Sequence, residues 1–327
     1  MDQNRISRRK ALSLLGGTAL AATMPGQLAR AQGGPLRFGI QTTIWGAVAI
    51  IAEAEKTFEK AGGKVEVVKF GSGAQARDAM IAGHIDLVSI GSPPFLLGVE
   101  KVDLVAIGIS CYAGGTLALV ASKKSGIKSV PDLKGKKIAS QLATATDNGF
   151  QNKIMPAFGI NKGDYEVINT KFAEHVSAMA SGAVDAFAGV EPFPSIAEVE
   201  GLGTILTDYS KYDIVPVVLA TNQKVLASRE ADLVKFMRGW VMAADIFRKD
   251  PKKAAAIVGN FFRGRGQKIN DEVFRLAMSR MDVSTGYRPE LKKYMTDLAQ
   301  LLVKQKRLSK MPGIDRALDQ RILKKIA

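Results

Sequence analysis

Ala79-Met80-Ile81-Ala82-Gly83-His84-Ile85-Asp86 is matched by Ala178-Met179-Ala180-Ser181-Gly182-Ala183-Val184-Asp185, and Pro93 and Pro192 follow the two aspartates at the same offset. Earlier in each copy, Glu66-Val67-Val68 anticipates Glu166-Val167-Ile168, and residues 37–41 anticipate residues 137–141, each one residue further apart. A single one-residue indel reconciles all three windows. Repetition over about 100 residues describes two similar lobes, each with its own core, rather than a solenoid. Within the first copy, residues 36–41 form a strand. Residues 46–60 form a helix with Ala47, Ile50, Ile51, Ala54 and Phe58 on one face, stopped by Gly62-Gly63. A strand over 64–70, a helix opened by Ser72-Gly73 and ended at Gly83, and a strand over 85–90 complete the unit. This β-α-β-α-β order predicts a parallel sheet covered by helices on both faces. Asp86 and Asp185, at the starts of buried strands, read as turn or capping carboxylates and not as a catalytic pair. Gly91-Ser92 and Val190-Glu191 sit where the strands end, at the edge where open parallel sheets bind ligands.

Composition narrows the function. The 327 residues are 46% apolar and 24% charged, an ordinary globular balance with room for two domains. One cysteine, Cys111, excludes an intramolecular disulfide and a multi-thiolate metal site. Two histidines, His84 and His175, leave little for a His-rich metal centre or a Ser-His-Asp constellation. The net charge of +15 raises nucleic acid as a partner, but its distribution argues otherwise. Ser7-Arg8-Arg9-Lys10-Ala11-Leu12, an uncharged stretch and Ala29-Arg30-Ala31 read as a twin-arginine-type export signal over residues 1–31, with no cysteine to take a lipid. Eleven of the basic residues lie from Arg288 onward, among leucines at helical spacing, which describes solvated helix faces. No aromatic stacking platform accompanies them, so nucleic acid is not expected. Residues 231–247 form an amphipathic helix, and further helices are expected over 271–281 and 289–306.

The signal, the strand over 36–41, the Gly83-x-Ile-Asp86 and Gly182-x-Val-Asp185 elements, Glu191-Pro192-Phe193, and Ser129-Val130-Pro131-Asp132-Leu133-Lys134-Gly135-Lys136-Lys137-Ile138 together carry a resemblance. Over residues 36–240 the chain resembles the sulfonate-, nitrate- and taurine-binding solute-binding proteins of ABC importers, in a superfamily that includes binders of thiamine-precursor pyrimidines. The resemblance implies an α/β, two-lobed periplasmic binding protein fold of type II-like kind. Each lobe is then a mixed, mostly parallel sheet flanked by helices, with a C-terminal helical extension. It implies crossing segments at 117–121 and 215–221, one lobe from 35–118 plus 219–327, and the other from 119–218. It also implies a periplasmic monomer without cofactor or metal that closes on a small solute and hands it, by transient membrane-complex contact, to an ABC transporter permease.

Strand ends and the helix starts behind them nominate the cleft residues. These are Thr42, Thr43, Trp45, Ser72, Gly73 and Ser92 in the first copy, and Thr144, Ala145, Thr146 and Glu191 in the second. Ser72-Gly73 and Thr144 to Asp147 each open a helix, so free N–H groups and hydroxyls suit an oxyanion, although the hydroxyls can equally cap their own helices. Trp45 reads as pocket wall. Tyr112 and Thr116 reach either the solute or the hinge. Glu191 either meets an amine or ring N–H on the solute, favouring a taurine-like or aminopyrimidine ligand, or pairs with a lobe-one base. An aromatic acid is a further alternative, and a pyrimidine-synthase-like enzyme is the rival class. That rival's family carries a cysteine-rich run absent here.

Overall fold

The computed structural model describes residues 34–266 and 269–326, so the expected export signal lies outside the described residues. Among the described residues, runs of four to nine residues make ten strands in two five-stranded sheets. In the first, β1 (Leu36–Gln41) lies between β2 (Val65–Phe70) and β3 (Leu87–Gly91), parallel to both. A later strand, β10 (Pro216–Asn222), runs antiparallel between β3 and β4 (Leu104–Tyr112). The second sheet repeats the plan. There β6 (Lys137–Ser140) lies parallel between β7 (Glu166–Asn169) and β8 (Ala186–Val190), and β5 (Leu117–Ser122) runs antiparallel between β8 and β9 (Gly203–Asp208). The chain therefore changes sheet twice, through residues 113–116 and 209–215. The segments expected to cross, 117–121 and 215–221, are mostly strand within the sheets they enter.

The repeat is kept in the hydrogen-bond register. Arg37 faces Glu66 as Lys137 faces Glu166, and Phe38 faces Leu87 as Ile138 faces Ala186. The two aspartates cap neither a turn nor a helix. Asp86 accepts the Arg37 backbone N–H at 3.0 Å and Asp185 accepts that of Lys137 at 2.9 Å, so each seals the entry of a neighbouring strand. Burial pushes the Asp86 carboxyl up, but the Arg37 guanidinium, 2.7 Å away, and that N–H hold it below the usual range.

Helices α1 (Ala47–Glu55), α2 (Thr57–Lys60), α3 (Gly73–Ile81) and α4 (Ser92–Val102) belong to the first repeat. Residues 46–60 are not one helix, because Lys56 takes a left-handed conformation (φ 54°) and restarts the chain as α2. Ala54, near the end of α1, is exposed, and Phe58 in α2 turns inward to stack on Phe236 at 5.0 Å. In the second repeat, α5 (Ala145–Gly149), a π turn and α6 (Met155–Ala157) make an unbroken helical run, followed by α7 (His175–Ala180) and α8 (Phe193–Val199). After β10 come α9 (Gln223–Ser228), α10 (Glu230–Lys249), α11 (Pro251–Arg263), α12 (Asp271–Ser279) and α13 (Leu291–Lys304). The apolar stripe of α10 packs on the first sheet, where Phe236 and Trp240 meet Phe38 at 4.9 and 5.8 Å. The other face of that sheet is covered by α3, α4 and α13 through Met80, Phe95, Met295 and Leu298. No helix of the described residues is long and apolar enough to cross a membrane.

Candidate functional site

The carboxyl ends of β1, β3 and β8 meet at a narrow pocket whose free space, about 10 Å³, is the room of a single water. From the first sheet's side it is lined by Gln41, Trp45, Gly73, Gly91 and Pro94. From the second it is lined by Thr144, Ala145, Thr146, Phe172 and Val190. The two sides touch because Gly91 has no side chain. A Cβ there would lie 2.9 Å from Ala145 Cβ and 3.3 Å from the Trp45 ring.

Two helix N-termini open onto this pocket. Ser72 caps α3, its Oγ accepting the Gln75 N–H at 3.4 Å, and Thr144 caps α5, accepting the Asp147 N–H at 3.1 Å. Their first-turn N–H groups have no partner within the helix and carry partial positive charge. Beside them, the Gln41 Nε2 amide and the Thr146 Oγ1 hydroxyl are buried without a hydrogen-bond partner, in residues only 3% and 1% exposed. Both residues line the pocket, so these unpaired polar groups are ones that a bound atom could satisfy. Trp45, Phe172, Val190 and Pro94 supply apolar wall. The Trp45 indole N–H is already donated to Thr116 Oγ1 at 2.7 Å, which leaves the ring as a surface and not a donor.

The sequence-nominated residues divide. Trp45, Gly73, Thr144, Ala145 and Thr146 line the pocket, and Ser72 stands behind as a helix cap. Thr42 Oγ1 donates to Phe70 O at 3.2 Å, Ser92 Oγ donates to Pro216 O at 2.7 Å, and Thr43 is buried without lining the cavity. Thr116 supports Trp45 from behind. Tyr112 accepts the Arg288 N–H at 2.9 Å and lies under the Arg288 guanidinium, facing the C-terminal segment. Glu191 is 1% exposed, and its carboxylate accepts Arg280 Nη1 at 2.5 Å, Ser195 Oγ at 2.9 Å and the Ser195 N–H at 3.1 Å. Burial lifts the Glu191 carboxyl above its usual range despite the pull of Arg280. Gln41, Pro94 and Phe172 escaped the sequence reading, while Gly91 and Val190 were placed at the ligand-binding edge without being nominated as lining. The repeat held a clue to two of them: Gln41 answers to Gln141, whose Oε1 accepts the Phe172 N–H at 3.0 Å, and Phe172 stands where the register places Ser72.

No group of three His, Cys, Asp or Glu among the described residues is placed to hold a metal ion. Cys111 is fully buried, and that burial pushes its thiol well up, away from nucleophilic reactivity.

The NMT1-like family pattern matches residues 32–259, more than half of the sequence. The chain belongs to the NMT1-like family. This NMT1-like chain is 25% identical over 246 residues to a Bacillus subtilis (strain 168) protein assigned by name to aliphatic sulfonate binding, covering 73% of each. It is 29% identical over 163 residues to the taurine-binding periplasmic protein of Escherichia coli (strain K12), and spans about half of that relative, 49%. Among solved structures, the alkanesulfonate-binding protein of Xanthomonas axonopodis pv. citri, bound to MOPS, superposes with a TM-score of 0.77 at 21% identity. That match covers 89% of this chain and 99% of the other. The periplasmic nitrate-binding protein of Synechocystis PCC 6803 gives 0.72 at 14% identity, covering 90% and 89%. At such identities the likeness is one of fold, and the fold is that of periplasmic binding proteins.

Proposed function

We propose that this NMT1-like protein is the exported, periplasmic solute-binding component of an ABC importer, and that it captures a small sulfonate-like monoanion with an apolar tail. In this reading residues 35–118 and 219–327 build one lobe and residues 119–218 the other. Solute touching both lobes favours the closed state by its differential contacts, and closure presents occupancy to the permease. The observation that carries the reading is the pair of orphaned donors, Gln41 Nε2 and Thr146 Oγ1, beside the N-termini of α3 and α5. Four neutral donor sources around one point suit an oxyanion. Trp45, Phe172 and Val190 suit what is attached to it.

The lining contains no carboxylate, and Glu191 is committed to Arg280 and Ser195. A taurine ammonium would therefore be buried unpaired. Nitrate would leave the apolar wall unused, at a loss of about 0.8 kcal/mol per missing buried methylene. The buried Cys111 and the binding-protein relatives favour a binder over an enzyme. Calorimetry on the mature protein with ethanesulfonate, taurine and nitrate tests this. Ethanesulfonate is expected to bind tightest, with taurine weaker by roughly tenfold or more. Gln41→Leu and Thr146→Val are each expected to weaken ethanesulfonate by roughly tenfold to a hundredfold, the worth of a hydrogen bond to a charged group. Tighter binding of taurine, or indifference to both substitutions, would remove this solute class.

A further inference from the structure

Glu191 does its structural work through its main chain. Its N–H donates to Thr116 O at 2.9 Å, on the segment where the chain first changes sheet. Its carbonyl accepts the Ile44 N–H at 2.9 Å, across the cleft, in the turn that carries Trp45. Thr116 Oγ1 in turn holds the Trp45 indole, and Val190, the residue before Glu191, lines the pocket. One residue thus joins the end of β8, the crossing segment and the pocket wall of the opposite sheet.

What fixes that residue comes from elsewhere in the chain. Arg280, directly after α12, reaches Glu191 Oε1 at 2.5 Å and Ser195 Oγ at 3.1 Å through Nη1, and Glu198 Oε2 at 2.9 Å through Nη2. Its own carbonyl is pressed against the crossing segment, 2.7 Å from where a Cβ on Gly115 would stand. Removing the cation would leave a carboxylate buried and uncompensated, a state that folded proteins escape by moving the group toward water. Any such movement drags the Glu191 main chain with it.

We propose that Arg280 is a positioning residue for solute capture: it pins Glu191 so that the Glu191 O to Ile44 N–H bond spans the cleft and seats the Trp45 wall. The ligand arm of the test rests on the function proposed above, and the exchange arm does not. Amide hydrogen exchange on the solute-free protein compares Ile44 and Glu191 with Phe38 and Ile40 in the core strand β1. In Arg280→Gln, exchange at Ile44 and Glu191 is expected to accelerate by roughly tenfold or more while Phe38 and Ile40 stay protected. Adding Glu191→Gln, which removes the stranded charge, is expected to restore protection. Ethanesulfonate affinity should fall and recover in the same order. Equal acceleration at all four amides, or none at Ile44, overturns the proposal, because Arg280 would then serve general stability alone. If ethanesulfonate binds no variant, including the unsubstituted protein, the solute class fails and the exchange pattern alone decides on Arg280.

Discussion

His175 shows how one residue behind the pocket writes a pH dependence into the fold. It is 0% exposed, its Nε2 donates to Thr170 O at 3.1 Å, its Nδ1 has no partner, and its ring lies between pocket-wall Phe172 and Phe187. Burial drives its pKa down from 6.5 to about 4, against a smaller upward pull from Thr170. A group depressed on folding stabilises fully above its unfolded pKa and loses that contribution as pH falls through the folded one. Stability is therefore expected to drop as pH falls from 6.5 to 4, by at most about 3–4 kcal/mol, at 1.36 kcal/mol per unit. Urea midpoints measured across that window should fall steeply in the unsubstituted protein and flatten in His175→Gln. A slope unchanged by the substitution would place the titration elsewhere. The same scale explains why Glu191 was ambiguous: a carboxylate at a strand end reads as a solute ligand until its cation, far along the chain, is known.

Elements were legible where burial forces a period. Residues 36–41, the helix behind Ser72 and the stripe of α10 needed only alternation, a cap residue and helical spacing. The join between α1 and α2 was not legible, because its cause is tertiary. Gly239 of α10 lets the α2 backbone approach so closely that a Cβ would stand 2.8 Å from Phe58 Cα and Thr57 O. A backbone neighbour cannot rotate away. Gly239→Ala should gain about 1 kcal/mol of helix propensity and lose about 1–3 to overpacking. A net loss of up to about 2 kcal/mol in urea unfolding is expected, and a gain would show that α2 yields freely. For the pocket, helix starts were visible in Ser72-Gly73 and Thr144 to Thr146. Phe172 was not, since an aromatic stands where the first repeat has the cap residue Ser72, which breaks the pattern that would have flagged it. The basic C-terminal run is less bare than it reads: Lys292 pairs with Asp315 at 2.6 Å and Lys293 with Asp297 at 2.7 Å.

At the scale of the molecule, Gly91 governs how near the two sheets come. Gly91→Ala sets its new methyl against Ala145 Cβ, and the cheapest relief is separation of the halves. Small-angle scattering should report a larger radius of gyration for the variant and weaker ethanesulfonate binding. Ala145→Gly in the same chain should reverse both. An unchanged radius would mean that the clash is absorbed locally.

The placement of β10 between β3 and β4 also sets an order in time. A chain emerging from the ribosome has released every strand of the second sheet by Asp208, yet the first sheet lacks β10, an inner strand, until Asn222 is out. The half that begins first is the half that finishes last.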